Sequence, residues 1–436
     1  MTGDATDFLS EATCPACGHH VAVTFFKGQQ PLATIAWPAS AREARAMTLL
    51  PLEFMRCVDC GHVFNTAFDY AAVPYSQKPN LMFNKGTLWS GFLAGVRENL
   101  LARLPERPVV VEIGHGDGSF IASLAAERPD GRYIGFDPHG ASIGAEPVTL
   151  RAELFEPGRH LAEIRPDLII TRHVMEHLSN PLGFLQRLSF AAARSGTGCL
   201  IYLEVPCIDR VIETGRTVDL YYEHSSQFTS RSFTRMLGRC ASHVETIGHG
   251  YDGEVIFGLA RIGGSLEQVA TATEATLYGD AAQRAERVIR HQLAALHAAG
   301  QPVAIWGGTG KSAAFMNRYA VDAVRFPLVV DSDPAKVDTF VPGTGQQIRR
   351  RDWLLAYPAH TIIIPPQWRA ADIITEMAQA GIAASHVAIE HNGRLIDYFD
   401  DSHPYRQMPR PAHWQGGVPP APGDAAHRPL ARRARA

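Results

Sequence analysis

Two short parts of the sequence carry side chains that could bind a metal or move a proton. Cys14-Pro-Ala-Cys17-Gly-His and Cys57-Val-Asp-Cys60-Gly-His share the form CxxCGH, and residues 219–229 read DLYYEHSSQFT. The second stretch sets two tyrosines, a glutamate and a histidine side by side with no helical or strand periodicity. This pattern is compatible with either a solvated turn or an active-site loop. The neighbouring elements distinguish between the two.

The paired cysteines predict a structural zinc site. A two-residue spacer lets both thiolates of a tight turn face one side, and the glycine that follows lets the backbone curl beneath the sulfurs. Two such turns complete a tetrahedral site with the ligands Cys14, Cys17, Cys57 and Cys60, and an inserted element must fill the 39 residues between the pairs. Because four protein ligands leave no open position, we expect the zinc to hold the fold and carry no chemistry. A redox-active CxxC and four unrelated core cysteines are the alternatives.

Length and composition restrict the class of protein. A chain of 436 residues with 46% hydrophobic residues predicts two or three domains. The net charge of -3 and the lack of a Lys/Arg block argue against a nucleic-acid partner. We expect a cytoplasmic protein without a membrane segment, since the sequence shows no signal peptide and no apolar run of about 18 residues. Seven cysteines without an export signal argue against disulfides, and we interpret Cys199, Cys207 and Cys240 as core residues.

A glycine-rich turn follows the first strongly apolar run. Residues 108–120 read PVVVEIGHGDGSF, which predicts a buried parallel strand that ends near Glu112 and enters a turn before a helix. The turn carries Gly114, Gly116 and Gly118 at alternate positions. This arrangement predicts a site for a nucleotide-like cofactor.

The spacing and the acids around this turn indicate which cofactor binds. A second predicted strand, residues 133–136, ends in Asp137, 19 residues after Gly118, where a carboxylate can accept hydrogen bonds from ribose hydroxyls. Dinucleotide sites favour GxGxxG because the helix N-terminus receives a pyrophosphate. Here the spacing is GxGxG and Glu112 precedes it, which suits the cationic, phosphate-free S-adenosylmethionine better than NAD.

A further predicted strand, residues 167–170, leads into a stretch with two interpretations. Residues 173–177 match the HxxEH pattern of some zinc peptidases, but no third ligand is evident. The stretch "RHVMEHL" also resembles the corresponding part of class I S-adenosylmethionine-dependent methyltransferases. That resemblance makes His173 a candidate wall of the cofactor cleft, and we interpret Glu176 and His177 as helix and cap residues.

The C-terminal part predicts a second, smaller α/β sheet. Residues 265–299 contain no proline and predict one or two linking helices, and a strand at 303–306 leads into Gly-Gly-Thr-Gly-Lys-Ser. A phosphate-binding loop would need a glycine where Ile305 stands, so we reject an ATPase. Further strands are predicted within 326–333 and 360–366.

The predicted fold class is α/β, with a central Rossmann-like cofactor sheet, a small N-terminal zinc-binding domain and a smaller Rossmann-like domain at the C-terminus. The last residues are rich in Pro, Ala and Arg, which predicts a disordered tail. The predicted parts are a zinc-binding domain at 1–85, a methyltransferase-like domain at 86–264, a C-terminal domain at 265–400 and the tail at 401–436.

From residue 12 to residue 398 the order of motifs resembles one three-domain methyltransferase family, which includes sugar-nucleotide C-methyltransferases of deoxysugar biosynthesis. The matching features are the paired CxxC turns, ExGxGxG, "YLEVP", "YYEHSSQFT" and "VVDSDPAKVDTFVPGTGQQI". The resemblance implies S-adenosylmethionine as cofactor and a structural zinc ion. It also implies a small-molecule acceptor such as a sugar nucleotide, and we expect a monomer or a homodimer.

The same resemblance implies which residues line the acceptor site. Glu223 and His224 match the family's Glu-His pair, while its tyrosine corresponds to Tyr221 or Tyr222, depending on the branch. Tyr75 lies where the family places aromatic and polar residues against the acceptor. This chain has Tyr where the sugar enzymes have a first His, which weakens the case for a keto-sugar acceptor.

A mechanism follows if the acceptor is a carbon next to a ketone, because that carbon becomes nucleophilic only as an enolate. His224 would be the base, with an ordinary pKa of about 6.5. Glu223 would fix its tautomer or act as the base, and Tyr221 or Tyr222 would donate to the oxyanion. An O- or N-methyltransferase, a binding module without activity and, more remotely, a dehydrogenase are the alternatives.

Overall fold

The computed structural model describes residues 9–74, 84–141 and 146–414. The chain divides into two compact units, residues 1–272 and 273–436. The first unit holds a five-stranded and a seven-stranded sheet, and the second holds a six-stranded sheet. The prediction of an α/β protein with a second, smaller parallel sheet is confirmed. Within the described ranges, no helix combines the length and hydropathy that a bilayer-spanning segment needs.

The N-terminal part forms an antiparallel sheet around the paired cysteines. The element predicted between the two CxxC turns consists of two long strands and a short helix. In chain order the elements are β1 (Leu9–Glu11), β2 (Val21–Gln30), α1 (Ala41–Arg45), β3 (Leu50–Cys57) and β4 (Val63–Asn65).

The middle of the chain alternates strands and helices, as the spacing of its apolar runs predicts. Its first elements are α2 (Thr87–Leu101), β5 (Val109–Ile113), α3 (Ser119–Glu127), β6 (Arg132–Phe136), β7 (Val148–Arg151), α4 (Pro157–Ile164) and β8 (Leu168–Arg172). The next are α5 (Pro181–Ser195), β9 (Cys199–Pro206), α6 (Asp209–Thr214), β10 (Ser226–Gln227), α7 (Ser230–Gly238), β11 (Ala241–Gly250) and β12 (Val255–Ile262).

These strands form the seven-stranded sheet in the order β11-β12-β9-β8-β5-β6-β7. Strands β5 to β9 run parallel, and β12 is antiparallel to both β9 and β11. The apolar runs of β5, β8 and β9 are buried, as expected for parallel strands covered on both faces. Strand order reverses at β5, which has β6 on one side and β8 on the other. Ligands of open α/β sheets bind beyond the carboxyl ends of the strands at such a reversal.

Strand β10 belongs to the N-terminal sheet although it comes from the middle of the chain. Ser226 pairs with Phe64 and Gln227 pairs with Val63. Helix α7 follows, and Thr229 caps it through a reciprocal hydrogen-bonded pair with Ser232. The segment 219–229 therefore contains a strand pairing and ends at the N-cap of a helix.

The second unit contains the six-stranded sheet in the order β15-β14-β13-β16-β17-β18, parallel except for β18. One long helix, which begins before the boundary between the units, forms the linking segment, in agreement with the prediction of one or two helices. The elements are α8 (Leu266–Ala298), β13 (Val303–Trp306), α9 (Lys311–Arg318), β14 (Leu328–Asp331), β15 (Ile348–Arg350), α10 (Trp353–Ala356), β16 (Thr361–Ile363), α11 (Ala370–Gln379), β17 (His386–His391) and β18 (Arg394–Asp397).

The predicted disordered tail, 401–436, begins too early. Trp414 is only 6% exposed and belongs to the core of the six-stranded sheet together with Tyr398. The Tyr398 hydroxyl donates to the carbonyl of Tyr405 at 2.9 Å. Trp414 thus attaches an exposed or half-buried Pro- and Arg-rich stretch to the core. Residues 415–436 lie outside the described residues.

Replacing Trp414 with alanine should lower the free energy of unfolding of the second unit by about 3 kcal/mol, because a buried indole leaves a cavity. Urea denaturation of the full chain measures the change. Trp368→Ala is the control, since Trp368 is 48% exposed and should change stability much less. Equal effects of the two substitutions would contradict the packing of Trp414.

Candidate functional site

The four paired cysteines converge at one end of the N-terminal sheet. All four are buried, and their sulfur atoms lie within 4.8 Å of one another. The sulfurs of Cys14 and Cys60 are 3.6 Å apart, and those of Cys17 and Cys57 are 3.7 Å apart. A zinc ion with Zn–S bonds of about 2.3 Å requires tetrahedral S···S distances of about 3.8 Å. The four cysteines therefore fit a tetrahedral metal ion.

Both CxxCGH turns have the same backbone conformation. The amide of Gly18 donates to the carbonyl of Cys14 at 2.8 Å, and the amide of Gly61 donates to that of Cys57 at 3.0 Å. The two glycines have φ angles of 77° and 78°, in the left-handed region that favours glycine. Buried thiolates packed this closely would repel one another without a cation between them.

The glycine-rich turn after β5 allows close packing on both of its sides. A Cβ atom on Gly114 would lie 2.3 Å from Val174, and one on Gly118 would lie 3.0 Å from Leu150. Both glycines have positive φ, and Gly118 immediately precedes α3. The turn can therefore pack against the segment after β8 on one side and against β7 on the other only with glycine at these positions.

Asp137, at the end of β6, holds this turn in place. Its carboxylate accepts hydrogen bonds from the amide of Gly116 at 3.0 Å and from the amide of His139 at 2.9 Å. Asp137 also lines a cavity beyond β6. The predicted cofactor residue thus positions the glycine turn as well as facing open space.

Glu112 lies at the floor of the cleft and is 3% exposed. One of its oxygens accepts a hydrogen bond from the amide of Ile121 at 3.1 Å. Burial raises the pKa of Glu112 to about 8, although Arg172 acts against the shift. Without a ligand, the carboxyl group is mostly protonated at neutral pH.

Two cavities meet beside the glycine turn. The first has a volume of about 760 Å³ and is lined by Glu112 and Gly116 on one side and by His177, Tyr221 and His224 on the other. It therefore brings predicted cofactor residues and predicted acceptor residues to a single space.

The second cavity, of about 1520 Å³, is lined by Asp137 and Phe155 among others. Gly114, His173 and His177 line both cavities. An elongated cofactor could occupy the second cavity and reach past these three residues into the first.

A buried ionic network lies behind the junction of the cavities. The fully buried Glu204 accepts hydrogen bonds from Nε of Arg172 at 3.0 Å and from the hydroxyl of Tyr202 at 2.7 Å. It also contacts Nε2 of His173 at 3.1 Å. Burial alone would raise the pKa of Glu204, but Arg172 and His173 lower it to about 2. Glu204 is therefore ionised in spite of its burial.

His173 lies between two carboxylates. Its Nδ1 is 3.4 Å from Glu176, and its Nε2 faces Glu204. Burial lowers the pKa of His173, but hydrogen bonds to Glu176 and Glu204 outweigh burial and raise it to about 9. The predicted wall residue of the cleft is therefore a cation at neutral pH.

The side of the first cavity that holds predicted acceptor residues is formed by two histidines and a tyrosine. The Tyr221 hydroxyl is 3.1 Å from Nε2 of His224, and the ring centroids of His177 and His224 are 4.7 Å apart. Nδ1 of His177 is 2.8 Å from the backbone carbonyl of Glu223. Since a carbonyl only accepts, Nδ1 of His177 carries a proton and donates it to this hydrogen bond. Burial, helped by His177 and His173, lowers the pKa of His224 well below its usual value, so this ring is neutral.

Tyr221, and not Tyr222, faces the cavity. The Tyr222 hydroxyl accepts a hydrogen bond from the amide of Asp69 at 2.7 Å and donates to the carbonyl of Ala67 at 3.3 Å. The Tyr222 side chain is 1% exposed and packs in the core of the N-terminal part. We therefore no longer assign Tyr222 a catalytic role.

The Glu223 carboxylate faces the N-terminal part instead of the first cavity. One of its oxygens accepts from the amides of Ala33 and Thr34, both at 2.7 Å, and from the Thr34 hydroxyl at 3.0 Å. These bonds tie the acceptor segment to the loop after β2, so Glu223 is better suited to positioning than to proton transfer. Tyr75, also predicted for the acceptor site, lies outside the described residues.

Four residues of the site were missed or set aside at the sequence level. Arg172 and Glu204 were not singled out, and Glu176 and His177 were interpreted as helix and cap residues. Glu204 carries a signal that could have been used, because an acid inside the apolar run "YLEVP" must find a buried cation. His177 is held at the cavity by its contact with the backbone carbonyl of Glu223. No sequence pattern near His177 indicates this contact.

Comparison with protein families gives two matches. Residues 90–240 match the family described as "Methyltransferase domain", and residues 265–389 match that described as "C-methyltransferase C-terminal domain". No relative was found among curated proteins.

Comparison with solved structures gives distant likenesses, of which three are described. The plantazolicin methyltransferase BpumL in complex with SAH is 16% identical, covering 41% of this chain and 86% of its own, with a TM-score of 0.31. Magnesium protoporphyrin IX methyltransferase (ChlM) from Synechocystis PCC 6803 with bound SAH is 15% identical, covering 41% and 89%, with a TM-score of 0.30. Coclaurine N-methyltransferase is 14% identical, covering 38% and 53%, with a TM-score of 0.29. Likeness of this degree carries no argument about the site.

Replacing Cys57 with serine should remove one metal ion per chain and lower the free energy of unfolding by at least ~3 kcal/mol, because a structural zinc site contributes directly to folding. Elemental analysis and urea denaturation measure the two effects. Cys240→Ser, another buried cysteine, should keep the full metal content. A Cys57 variant with undiminished metal would refute the four-sulfur site.

Replacing Glu112 with glutamine should weaken S-adenosylmethionine binding about 10-fold, because the cofactor's ammonium group loses a charged partner. The raised pKa means that the Glu112 carboxylate forms only as pH rises toward about 8. The ratio of wild-type affinity to variant affinity for S-adenosylmethionine should therefore increase between pH 6 and pH 8. Calorimetric titration measures both affinities. Glu127→Gln, on the exposed end of α3, is the control. Parallel pH profiles for wild type and Glu112→Gln would argue against contact with the ammonium group.

Proposed function

We propose that the chain is a class I S-adenosylmethionine-dependent methyltransferase, and that it methylates a carbon next to a ketone in a small-molecule acceptor. The observation that carries the proposal is the convergence of the glycine turn and Glu112 with Tyr221, His224 and His177 on one cavity. The match to a C-methyltransferase C-terminal domain favours carbon as the methylated atom. A keto-sugar nucleotide is the acceptor class that we propose to test first.

Residues of both cavities would hold the cofactor. Glu112 and the glycine turn suit its amino acid end, while Asp137 and the ring of Phe155 suit its adenosine end. The cofactor supplies an activated methyl group, which transfers by in-line displacement. The protein must then align the acceptor and remove one proton from it.

The two histidines suit proton removal. His224 is neutral, and His177, which packs against it, donates Nδ1–H to the Glu223 carbonyl. We assign His224 as the base and His177 as the residue packed against it. A positioned base of this kind contributes on the order of 10²- to 10⁴-fold.

Tyr221 suits stabilisation of the enolate oxygen. If His224 donates Nε2–H to the Tyr221 oxygen, the Tyr221 hydroxyl is free to donate to the acceptor, and Nδ1 of His224 has the lone pair that takes the acceptor's proton. Once the acceptor oxygen carries negative charge, this hydrogen bond becomes stronger in the transition state than in the ground state. Glu223 acts indirectly, because it anchors the segment to Ala33 and Thr34.

Replacing His224 with alanine should lower kcat by about 10²- to 10⁴-fold and leave S-adenosylmethionine affinity unchanged. Tyr221→Phe should lower kcat about 10- to 100-fold, since one donor to the oxyanion is lost. Tyr222→Phe is the matched control: it removes a hydroxyl that faces Asp69 and should affect stability but not kcat.

The assay uses the full chain, labelled S-adenosylmethionine and a panel of keto-sugar nucleotides and small ketones, with product identity by mass and NMR. A new carbon–methyl bond is the expected product. A methyl group on oxygen or nitrogen would instead identify an O- or N-methyltransferase. Full turnover by His224→Ala would remove His224 from the mechanism.

A further inference from the structure

A second group of metal-binding side chains lies in the first unit, apart from the four paired cysteines. Cys207 follows β9, Asp209 is the first residue of α6, and His249 lies near the end of β11. One ligand atom from each lies within 4.8 Å of the others. The sequence pattern gave no reason to separate Cys207 from the core cysteines, because its partners come from other elements.

The hydroxyl of Ser230, at the start of α7, lies among these three side chains. It is 2.8 Å from Nε2 of His249 and 4.0 Å from the sulfur of Cys207, and it donates to the Asp209 carboxylate. The backbone amide of Ser230 donates to the same carboxylate at 3.1 Å. The first residues of two helices and the ends of two strands thus converge on one point.

The arrangement does not suit nucleophilic catalysis by Ser230. In a Ser-His-Asp triad the carboxylate binds the imidazole nitrogen remote from the serine and orients the ring. Here Asp209 binds the serine hydroxyl and amide themselves. The carboxylate would therefore hold the hydroxyl proton and not assist the histidine.

We propose that Cys207, Asp209 and His249 bind a zinc ion. Sulfur, carboxylate oxygen and imidazole nitrogen are the three donor types that zinc accepts, and a thiolate with a carboxylate balances its two charges. The Ser230 hydroxyl or a water molecule completes four ligands. The sulfur lies at the floor of the site, since Cys207 is 2% exposed, while the exposed His249 leaves access from solvent.

A metal ion bound by Cys207, Asp209 and His249 would stabilise the wall of the first cavity. The amide of Cys207 donates to the carbonyl of Glu254 at 2.9 Å. Pro206, Tyr251 and Glu254, which are close neighbours of the ligands in sequence, line that cavity. The ion would cross-link β9, α6 and β11 behind the acceptor space. This role does not depend on which atom the enzyme methylates.

The test compares the zinc content of full-length chains purified with zinc and dialysed. Cys207→Ser and His249→Ala should each hold one zinc ion fewer per chain than the wild type. Cys199→Ser and His243→Ala are the matched controls, a buried cysteine and an exposed histidine of the same strand β11, and both should equal the wild type. Elemental analysis gives the counts, and only differences between variants are used, so the four-cysteine site does not affect the result.

A cobalt(II) titration gives a second readout. The His249→Ala chain should lose one component of the cobalt–thiolate absorption that His243→Ala retains. His249 is exposed, so its variant should fold even if Cys207→Ser does not. Equal zinc counts and equal cobalt spectra for His249→Ala and His243→Ala would overturn the proposal. Loss of zinc from the His249 variant, with methyl transfer absent in every chain, would support this site and refute the proposed function separately.

Discussion

The ion pair between Arg172 and Glu204 is the interaction on which the geometry of the site depends. Both side chains are buried between the ends of β8 and β9, and removing one partner of such a pair typically costs about 3–5 kcal/mol because the other charge stays buried. The same carboxylate holds His173, whose φ of 52° is unusual for a residue with a side chain. The next residue, Val174, leaves no room for a Cβ atom on Gly114. One buried charge pair therefore aligns the strand end, the cleft wall and the glycine turn.

The network also sets the charge of the cavity. His173 and Arg172 are cations and Glu204 is an anion. Burial, helped by His177 and His173, lowers the pKa of His224 and keeps this ring neutral. A neutral imidazole is the form that can accept a proton. Burial thus keeps His224 in this form, although it also lowers the basicity of the ring.

Features that depend on local sequence could be predicted, and features that depend on distant partners could not. The CxxCGH turns, the glycine turn and the parallel sheet each carry a local pattern, so their place in the fold followed from the sequence. Tyr221 and Tyr222 are neighbours of the same type, and only the backbone of Asp69, 153 residues away, separates their roles. Glu223 looked catalytic because its partners, Ala33 and Thr34, are about 190 residues away. Composition alone could not show that Trp414 is buried.

The pairing of β10 with β4 has a consequence for how the chain folds during synthesis. The N-terminal sheet lacks its last strand until residue 227 has left the ribosome, long after β4 has emerged. Domains usually fold as units from the N-terminus. Here the edge of β4 stays unpaired until β10 has been synthesised. A metal ion taken up early by the cysteine turns would protect this unfinished sheet. Chaperone binding and the rate of translation between residues 65 and 227 should therefore affect the yield of folded enzyme more than changes elsewhere in the message.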